Sequence, residues 1–403
     1  MAHVDNHTTH HQHHGKQQDL QPDNVLALNL PANTSCLLVK TRTISIEPVT
    51  LPLLRPDSVL VRVMANGICG SDMHSYCNGG VGGRPIGAPS VMGHEAAGII
   101  EAVGAAVTTH AVGDHVAVEP GLPCQKCVNC KGGRMNICTT IRYCGTPGVH
   151  GTLSRFYVLP VDMAPKIPKS VPWDVADSGC GPIGLITAAV AHAYSARRIV
   201  AFDIKPSRVE FAKAYKSPLT GRPIIDHVFQ IDSLPDVSPR QSDTNGTGTN
   251  GTDGSGSASH DYTTPGDKAW MVAQARMDAI LDEVGLADEG GVDRVIEASG
   301  AQDSMLHGVA ICKDGGVYLQ VGLGHIQTNI FPTIAITNKE LDVRGITRYT
   351  ASCFPSAIEM LGRGVVDIAP LITASFPMSR AKDAFEAVAA GNDIKVIIRN
   401  QEV

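Results

Sequence analysis

Hydrophobic and polar positions divide the chain into regions with different periods. Residues 1–33 show no apolar rhythm and read as a solvated tail carrying His3, His7, His10, His11, His13 and His14. From about residue 35 to 165, short β-type runs recur between Gly/Pro-rich turns: SVLVRVMA (58–65), AAGIIEAVG (96–104) and DHVAVEP (114–120). That pattern predicts a mostly-β domain with long loops. From about 179 to 346, strand and helix patterns alternate. Strands are predicted at 199–203, 227–231, 292–298, 316–322 and 341–347, and helices at 207–216, 267–285 and between the third and fourth strands. Such alternation argues for a doubly wound parallel sheet. The last stretch predicts helices near 355–363 and 380–390 and a strand at 394–400, packing back on the first domain.

One stretch breaks the alternation. Residues 233–267 include SDTNGTGTNGTDGSGSASHD, too rich in Gly, Ser, Thr and Asn to bury a core, and read as a flexible surface insertion. The expected organisation is therefore a tail (1–33), the first part of a β domain (34–176), an α/β domain (177–346) with this insertion, and a return to the β domain (347–403).

Composition adds mainly exclusions. Apolar residues make up 43% and charged residues 18% of 403, as in an ordinary globular protein. A net charge of −6 gives no electrostatic case for nucleic acid or an anionic membrane. No apolar run approaches the roughly 18–20 residues of a membrane span, and the N-terminus lacks the apolar core of a secretion signal. A cytoplasmic protein is the expectation. Four of the eleven cysteines lie between Cys124 and Cys138, which reads as metal binding rather than disulfides.

Cys124, Cys127, Cys130 and Cys138 form C-x2-C-x2-C-x7-C. Four thiolates close a tetrahedral zinc shell and leave no position for substrate, so such a site is structural. An iron–sulfur cluster or four unrelated thiols are the alternatives. Two other segments suggest an open site: GICGSDMH, with Cys69, Ser71, Asp72 and His74, and GHEAAG, with His94 and Glu95. Each alone is weak, but their order ahead of the cysteine cluster is specific.

Gly179-Cys180-Gly181-Pro182-Ile183-Gly184 fits G-x-G-x-x-G and opens the apolar helix GLITAAVAHA. The glycines permit close approach of a pyrophosphate to a helix N-terminus. Asp203, at the end of IVAFD, is placed to accept hydrogen bonds from ribose hydroxyls and to repel a 2′-phosphate. It favours NAD, and nearby Arg208 weakens the preference slightly. The motif needs a strand before it. Here the preceding KIPKSVPWDVADS (166–178) holds two prolines and no β-type run.

From about residue 35 to the C-terminus the sequence resembles the zinc-dependent medium-chain dehydrogenases, and within them the polyol (xylitol or sorbitol) branch. The runs GICGSDMHSY, VMGHEAAG, VAVEPGLPC, GTLSRFYVLP, GCGPIGL, VGLG and TRY carry the likeness. The resemblance implies a GroES-like catalytic domain and a Rossmann-type NAD domain. It implies a catalytic zinc on Cys69, His94 and Glu95, a structural zinc on the four cysteines, and a proton relay through Ser71 and His74. It places Arg348 and Tyr349 near the polyol hydroxyls, and Val321, Gly322 and Leu323 beside the cofactor. The implied reaction is NAD-dependent oxidation of a polyol to a ketose by a homodimer or homotetramer. The family pattern also implies roughly 30 more residues between Ala176 and Gly179, carrying a helix, a Glu-Pro segment and the first strand of the nucleotide fold. Their absence predicts a sheet without its first strand and little activity. The rival readings are a zinc-binding relic or splice or gene-assembly variant, and a zinc alcohol or threonine dehydrogenase.

Overall fold

Ser58–Gly67 alternates apolar residues with little interruption, and Val59, Leu60 and Val61 are fully buried. This strand is the axis of the β domain. It pairs antiparallel with Glu95–Val103 and with Phe156–Pro160, and Glu95–Val103 pairs in turn with His115–Val118. The C-terminal strand Lys395–Arg399 pairs antiparallel with the end of Ser58–Gly67, and Ile372–Pro377 lies beyond it. The end of the chain thus completes a six-stranded sheet begun more than 300 residues earlier. Thr34–Lys40, Thr43–Pro48 and Ser90–Val91 form a second, three-stranded sheet.

The computed structural model describes residues 30–81, 84–85, 89–176, 183–235, 265–323 and 331–402. Residues 1–29 of the tail, most of the low-complexity stretch, and Gly179, Cys180, Gly181 and Pro182 lie outside them. The insertion's far boundary is corrected: a helix begins at Pro265, so 265–267 belong to it. Proline in the first turn and Asp267 beside it suit a helix start, a signal hidden by the polar run before them.

The second half is α/β. Val200–Asp203 pairs parallel with His227–Gln230. Separately, Val292–Glu297 pairs parallel with Cys312–Gln320, which pairs parallel with Asp342–Gly345. The strand predicted at 316–322 begins earlier, because CKDGG joins the ladder without any β-branched residue to announce it. Helices cover both faces. Met277, Ile280 and Leu281 of Pro265–Glu283 pack with Val200, Phe202, Val292 and Val295, while Ala188 and Ala189 of Ile183–Ala193 pack with Ala201 and Val228. Among the described residues, no strand joins Val200–Asp203 to Val292–Glu297. A cavity of about 910 Å³ lies between them, lined by both strands and by residues of helices Ile183–Ala193 and Gln302–Ile311.

Candidate metal centre and nucleotide cleft

The open site forms where the strand Ser58–Gly67 ends and the helix Gly70–Asn78 begins. Cys69 is the residue that caps this helix. A thiolate there gains from the helix N-terminal partial charge. Asp72, one turn in, accepts from the Cys69 amide (3.1 Å) and the Gly93 amide (3.3 Å), tying the helix start to the loop that carries His94. Gly93 has φ +88°, a conformation that favours glycine, and it turns the chain so that His94 and Glu95 enter the next strand facing Cys69.

Ligand atoms of Cys69, His94 and Glu95 all lie within 4.8 Å of one another. Asp72 Oδ1 sits 3.5 Å from His94 Nδ1, and Ser71 Oγ is 3.1 Å from His94 Nε2. A carboxylate behind a histidine fixes its ring orientation and tautomer, as metal sites require. Burial alone raises the Asp72 carboxyl, but the neighbouring His94 and the Cys69 and Gly93 amides pull it below its ordinary value. Burial lowers the His94 imidazole, and the charges of Asp72 and Cys69 more than reverse this. Such a ring draws positive charge.

Glu95 is held from behind by Lys395. Both side chains are almost fully buried, and Lys395 Nζ donates to Glu95 Oε2 and, at 3.4 Å, to the Ile68 carbonyl. The other oxygen, Glu95 Oε1, is buried without a hydrogen-bond partner. An unsatisfied carboxylate oxygen beside a thiol and an imidazole fits a divalent cation. Glycine at residue 67 leaves room for the pair as it stands: a Cβ there would lie 2.6 Å from both Glu95 Oε2 and Lys395 Nζ and would make their side chains shift. Sequence reading missed Asp72 as the residue behind His94, and it missed Lys395. Asp72 could be found from its place three residues after a capping cysteine; Lys395 lies 300 residues from its partner and leaves no local signal.

The sulfurs of the four cysteines lie within 4.8 Å of one another. Backbone amides point at them: Cys127 N to Cys124 Sγ (3.3 Å), Cys124 N to Cys138 Sγ (3.3 Å) and Cys130 N to Cys127 Sγ (3.5 Å). The amide of Cys130 and then that of Thr139 lower the Cys127 thiol to about 6, and the Lys126 and Cys127 amides lower Cys124. Thiolates are the form that binds zinc.

The remaining sequence-derived residues are dispersed around these sites. His74 lies on the exposed face of the helix that carries Ser71. Arg348 has φ +54°, donates to the Asn136 carbonyl (2.9 Å) and stands over the Tyr143 ring at 5.2 Å. That ring is 5.6 Å from His94, so Arg348 stands one side chain from His94. Tyr349 Oη accepts from the Gly121 amide (2.9 Å). On the nucleotide side, Ile183, Gly184, Asp203 and Arg208 line one cavity, with Arg208 Nη1 4.0 Å from Asp203 Oδ2. Asp203 Oδ1 accepts from the Lys205 amide (2.8 Å). Val321 and Gly322 both donate to the Glu297 carbonyl (2.9 Å), whereas Leu323 is largely exposed. Gly179, Gly181 and Pro182 lie outside the described residues.

Comparison with known proteins places this geometry. Residues 55–169 match the alcohol dehydrogenase GroES-like domain and residues 267–363 the zinc-binding dehydrogenase family, together just over half of the chain. The second match starts beyond the glycine-rich run. D-xylulose reductase A from Aspergillus oryzae is 33% identical over 397 aligned positions, covering 92% of this chain and 98% of the relative. Since 92% of 403 residues is about 371, about 26 of those positions are filled by the relative alone. L-idonate 5-dehydrogenase from Escherichia coli shares the fold with a TM-score of 0.71 at 22% identity, covering 92% of this chain and 98% of that one. A protein described as a short chain alcohol dehydrogenase from Escherichia coli, complexed with NADH, gives 0.69 at 24% identity, covering 91% and 99%. With both domains matched and similarity running nearly end to end, the chain belongs to the zinc-dependent medium-chain dehydrogenases, a family of oxidoreductases.

Proposed function

We propose that this chain is built as an NAD-linked polyol dehydrogenase whose metal half is complete and whose nucleotide half is short of one strand. The observation that carries the reading is the convergence of Cys69, His94 and Glu95, with one Glu95 oxygen left without a partner. These three residues would hold a catalytic zinc, and Cys124, Cys127, Cys130 and Cys138 a structural one. Zinc bound there would supply a Lewis acid that lowers the pKa of an alcohol oxygen, and bound NAD would supply the hydride acceptor. Asp72 holds His94 in orientation, and Lys395 holds Glu95. Ser71 Oγ is the group that takes the alcohol proton, and His74, exposed on the same helix, passes it to solvent. Arg348, held over Tyr143, and Tyr349 face the outer hydroxyls of the substrate. Support for a polyol comes from relatives named D-xylulose reductase; support for NAD over NADP comes from Asp203 beside Gly184. In this reading the protein is cytoplasmic and assembles as a dimer or tetramer. Among the described residues, no helix is long and apolar enough to cross a membrane.

The second reading, a zinc-binding protein with little turnover, is favoured by the split sheet. The unfilled interval between Val200–Asp203 and Val292–Glu297 is where a first strand would lie. Both readings share the metal sites, so metal analysis comes first. The purified chain should hold two zinc equivalents, and Cys69→Ser and Cys127→Ser should each remove one. Zinc content unchanged in either variant overturns that assignment.

A further inference from the structure

The segment Thr347–Tyr349 leaves the parallel sheet and lands on the loop that carries the four cysteines. The Ile346 amide still bonds the Gln320 carbonyl of that sheet (2.9 Å). Beyond it, three residues in a row touch the cysteine loop. The Thr347 carbonyl accepts from Asn136 Nδ2 (3.0 Å), Arg348 Nη1 donates to the Asn136 carbonyl (2.9 Å), and Tyr349 Oη accepts from the Gly121 amide (2.9 Å). Gly121–Leu122 pairs antiparallel with Arg142–Tyr143 and so closes the loop in which Cys124, Cys127, Cys130 and Cys138 lie. The Arg348 guanidinium stands over Tyr143, so this ribbon receives Arg348 as well as Tyr349.

Asn136 is the centre of the contact. It sits in the single turn Met135–Ile137, and the Cys138 amide bonds the Met135 carbonyl (3.0 Å), so its place follows that of a cysteine. Asn129 Nδ2 donates to the Ile137 carbonyl (2.8 Å) and ties the same turn to the stretch between Cys127 and Cys130. The Asn136 side chain holds the carbonyl just before Arg348, and the Asn136 carbonyl holds the Arg348 guanidinium. Arg348 is thus gripped at its backbone and at its tip. Its φ of +54° is a left-handed conformation that residues with a Cβ rarely adopt, and such a backbone persists where its surroundings hold it. Asn136 Oδ1 is buried with no hydrogen-bond partner, so the side chain directs its hydrogen bonding to Thr347.

We propose that Asn136 is a positioning residue that couples the cysteine loop to Arg348 and Tyr349. Metal held by the four thiolates then sets how firmly the guanidinium and the phenol hydroxyl are presented to a polyhydroxylated substrate. The tie to a polyol rests on the proposed function, in which these two side chains face the substrate hydroxyls; the coupling itself is scored without substrate.

Trypsin reads the coupling, because cleavage at Arg348 follows the population in which this segment is released. The full zinc-loaded chain is digested briefly and each cut bond is timed by mass spectrometry, with cleavage at Arg344 as the internal control. Asn136→Ala should speed cleavage at Arg348 about tenfold, the size of one lost hydrogen bond, and leave Arg344 unchanged. Cys127→Ser should do the same. The double variant should cleave no more than about threefold faster than either single one, since both cut the same link. Unchanged cleavage in Asn136→Ala, or effects that multiply to about a hundredfold in the double variant, overturns the coupling. The substrate side is read with cobalt(II) in place of zinc, from the change that xylitol produces in the visible d–d bands. Asn136→Ala should weaken xylitol binding about tenfold and leave the bands without xylitol unchanged. Faster cleavage with an unchanged xylitol Kd overturns the positioning role. A wild-type chain whose bands xylitol does not move overturns the polyol reading instead, and the cleavage pattern then decides the coupling alone. Asn136→Ser, which also lacks the amide donor, takes the place of Asn136→Ala should that variant fail to fold.

Discussion

The β domain and the nucleotide half use the same kinds of residue to opposite effect. In Ser58–Gly67, Val59, Leu60 and Val61 are fully buried because strands flank them on both sides and close a continuous sheet. Val200–Asp203, apolar at three of four positions, is only half-buried, and Val292–Glu297, charged at three of six, has Ile296 38% exposed; both border a cavity of about 910 Å³. For Val200–Asp203 the apolar content matches that of Ser58–Gly67, and what differs among the described residues is a neighbour on each side. A strand contributes to burial only when its own edges are met, and several unmet ladder groups at about 1–3 kcal/mol each are large against a total stability of about 5–15 kcal/mol. The proposed metal ligands Cys69, His94 and Glu95 stand on the first half, and the proposed cofactor residues Gly184 and Asp203 on the second.

The comparison can be broken first at the Lys395–Glu95 pair. Lys395→Met leaves a buried carboxylate without its cation and should cost the metal-free protein about 3–5 kcal/mol. Loading with zinc should recover much of that loss, because Glu95 regains an opposite charge. Denaturant unfolding with and without zinc reads both values; a loss that zinc leaves unchanged would mean that Glu95 is not a ligand.

A smaller effect is expected at Glu119, 8% exposed, whose carboxyl is pushed by burial from 4.5 to about 7. The folded protein binds this proton more tightly than the unfolded chain, so its contribution to stability falls as pH rises from about 4.5 to 7. Glu119→Gln should leave Tm unchanged near pH 4.5 and raise stability by about 1–3 kcal/mol at pH 8. Thermal melts across that range should show the two curves diverging upward in pH; parallel curves would remove Glu119 as the cause. On the open half, Asp203→Ser should reduce the preference for NAD over NADP by about tenfold, read as the ratio of dissociation constants. A wild-type chain that binds NADP more tightly than NAD would count against the role of Asp203.

Local patterns carried most of the fold. The helix at 207–216 and the strands at 227–231 and 292–298 were legible because their period and turn residues are contiguous, and the structure has them at Pro206–Ala214, His227–Gln230 and Val292–Glu297. The short strands Thr34–Lys40, Thr43–Pro48 and Ile372–Pro377 were not foreseen; their identity as strands depends on distant partners. The same rule holds at the site. The cysteine cluster is a local spacing and could be read directly, and the Cys69 and His94-Glu95 segments gained meaning from their order. The Lys395–Glu95 pair, Gly67 beneath it and Arg348 over Tyr143 are made by the fold alone. The abrupt junction before Gly179 was legible as an absence of β-type residues.

Whether a complete metal half is joined to an incomplete nucleotide half is decided by insertion. This chain and a version with a strand-bearing segment of roughly 30 residues, of the kind the family pattern implies, inserted between Ala176 and Gly179 are assayed for NAD reduction with xylitol and sorbitol, at equal zinc content. A displacement of about 1 Å at a reacting centre costs on the order of a hundredfold in rate, so the restored version should turn over at least about a hundredfold faster. Comparable turnover in the two proteins would contradict the account, because it would mean that the open sheet already holds Gly184 and Asp203 in working register.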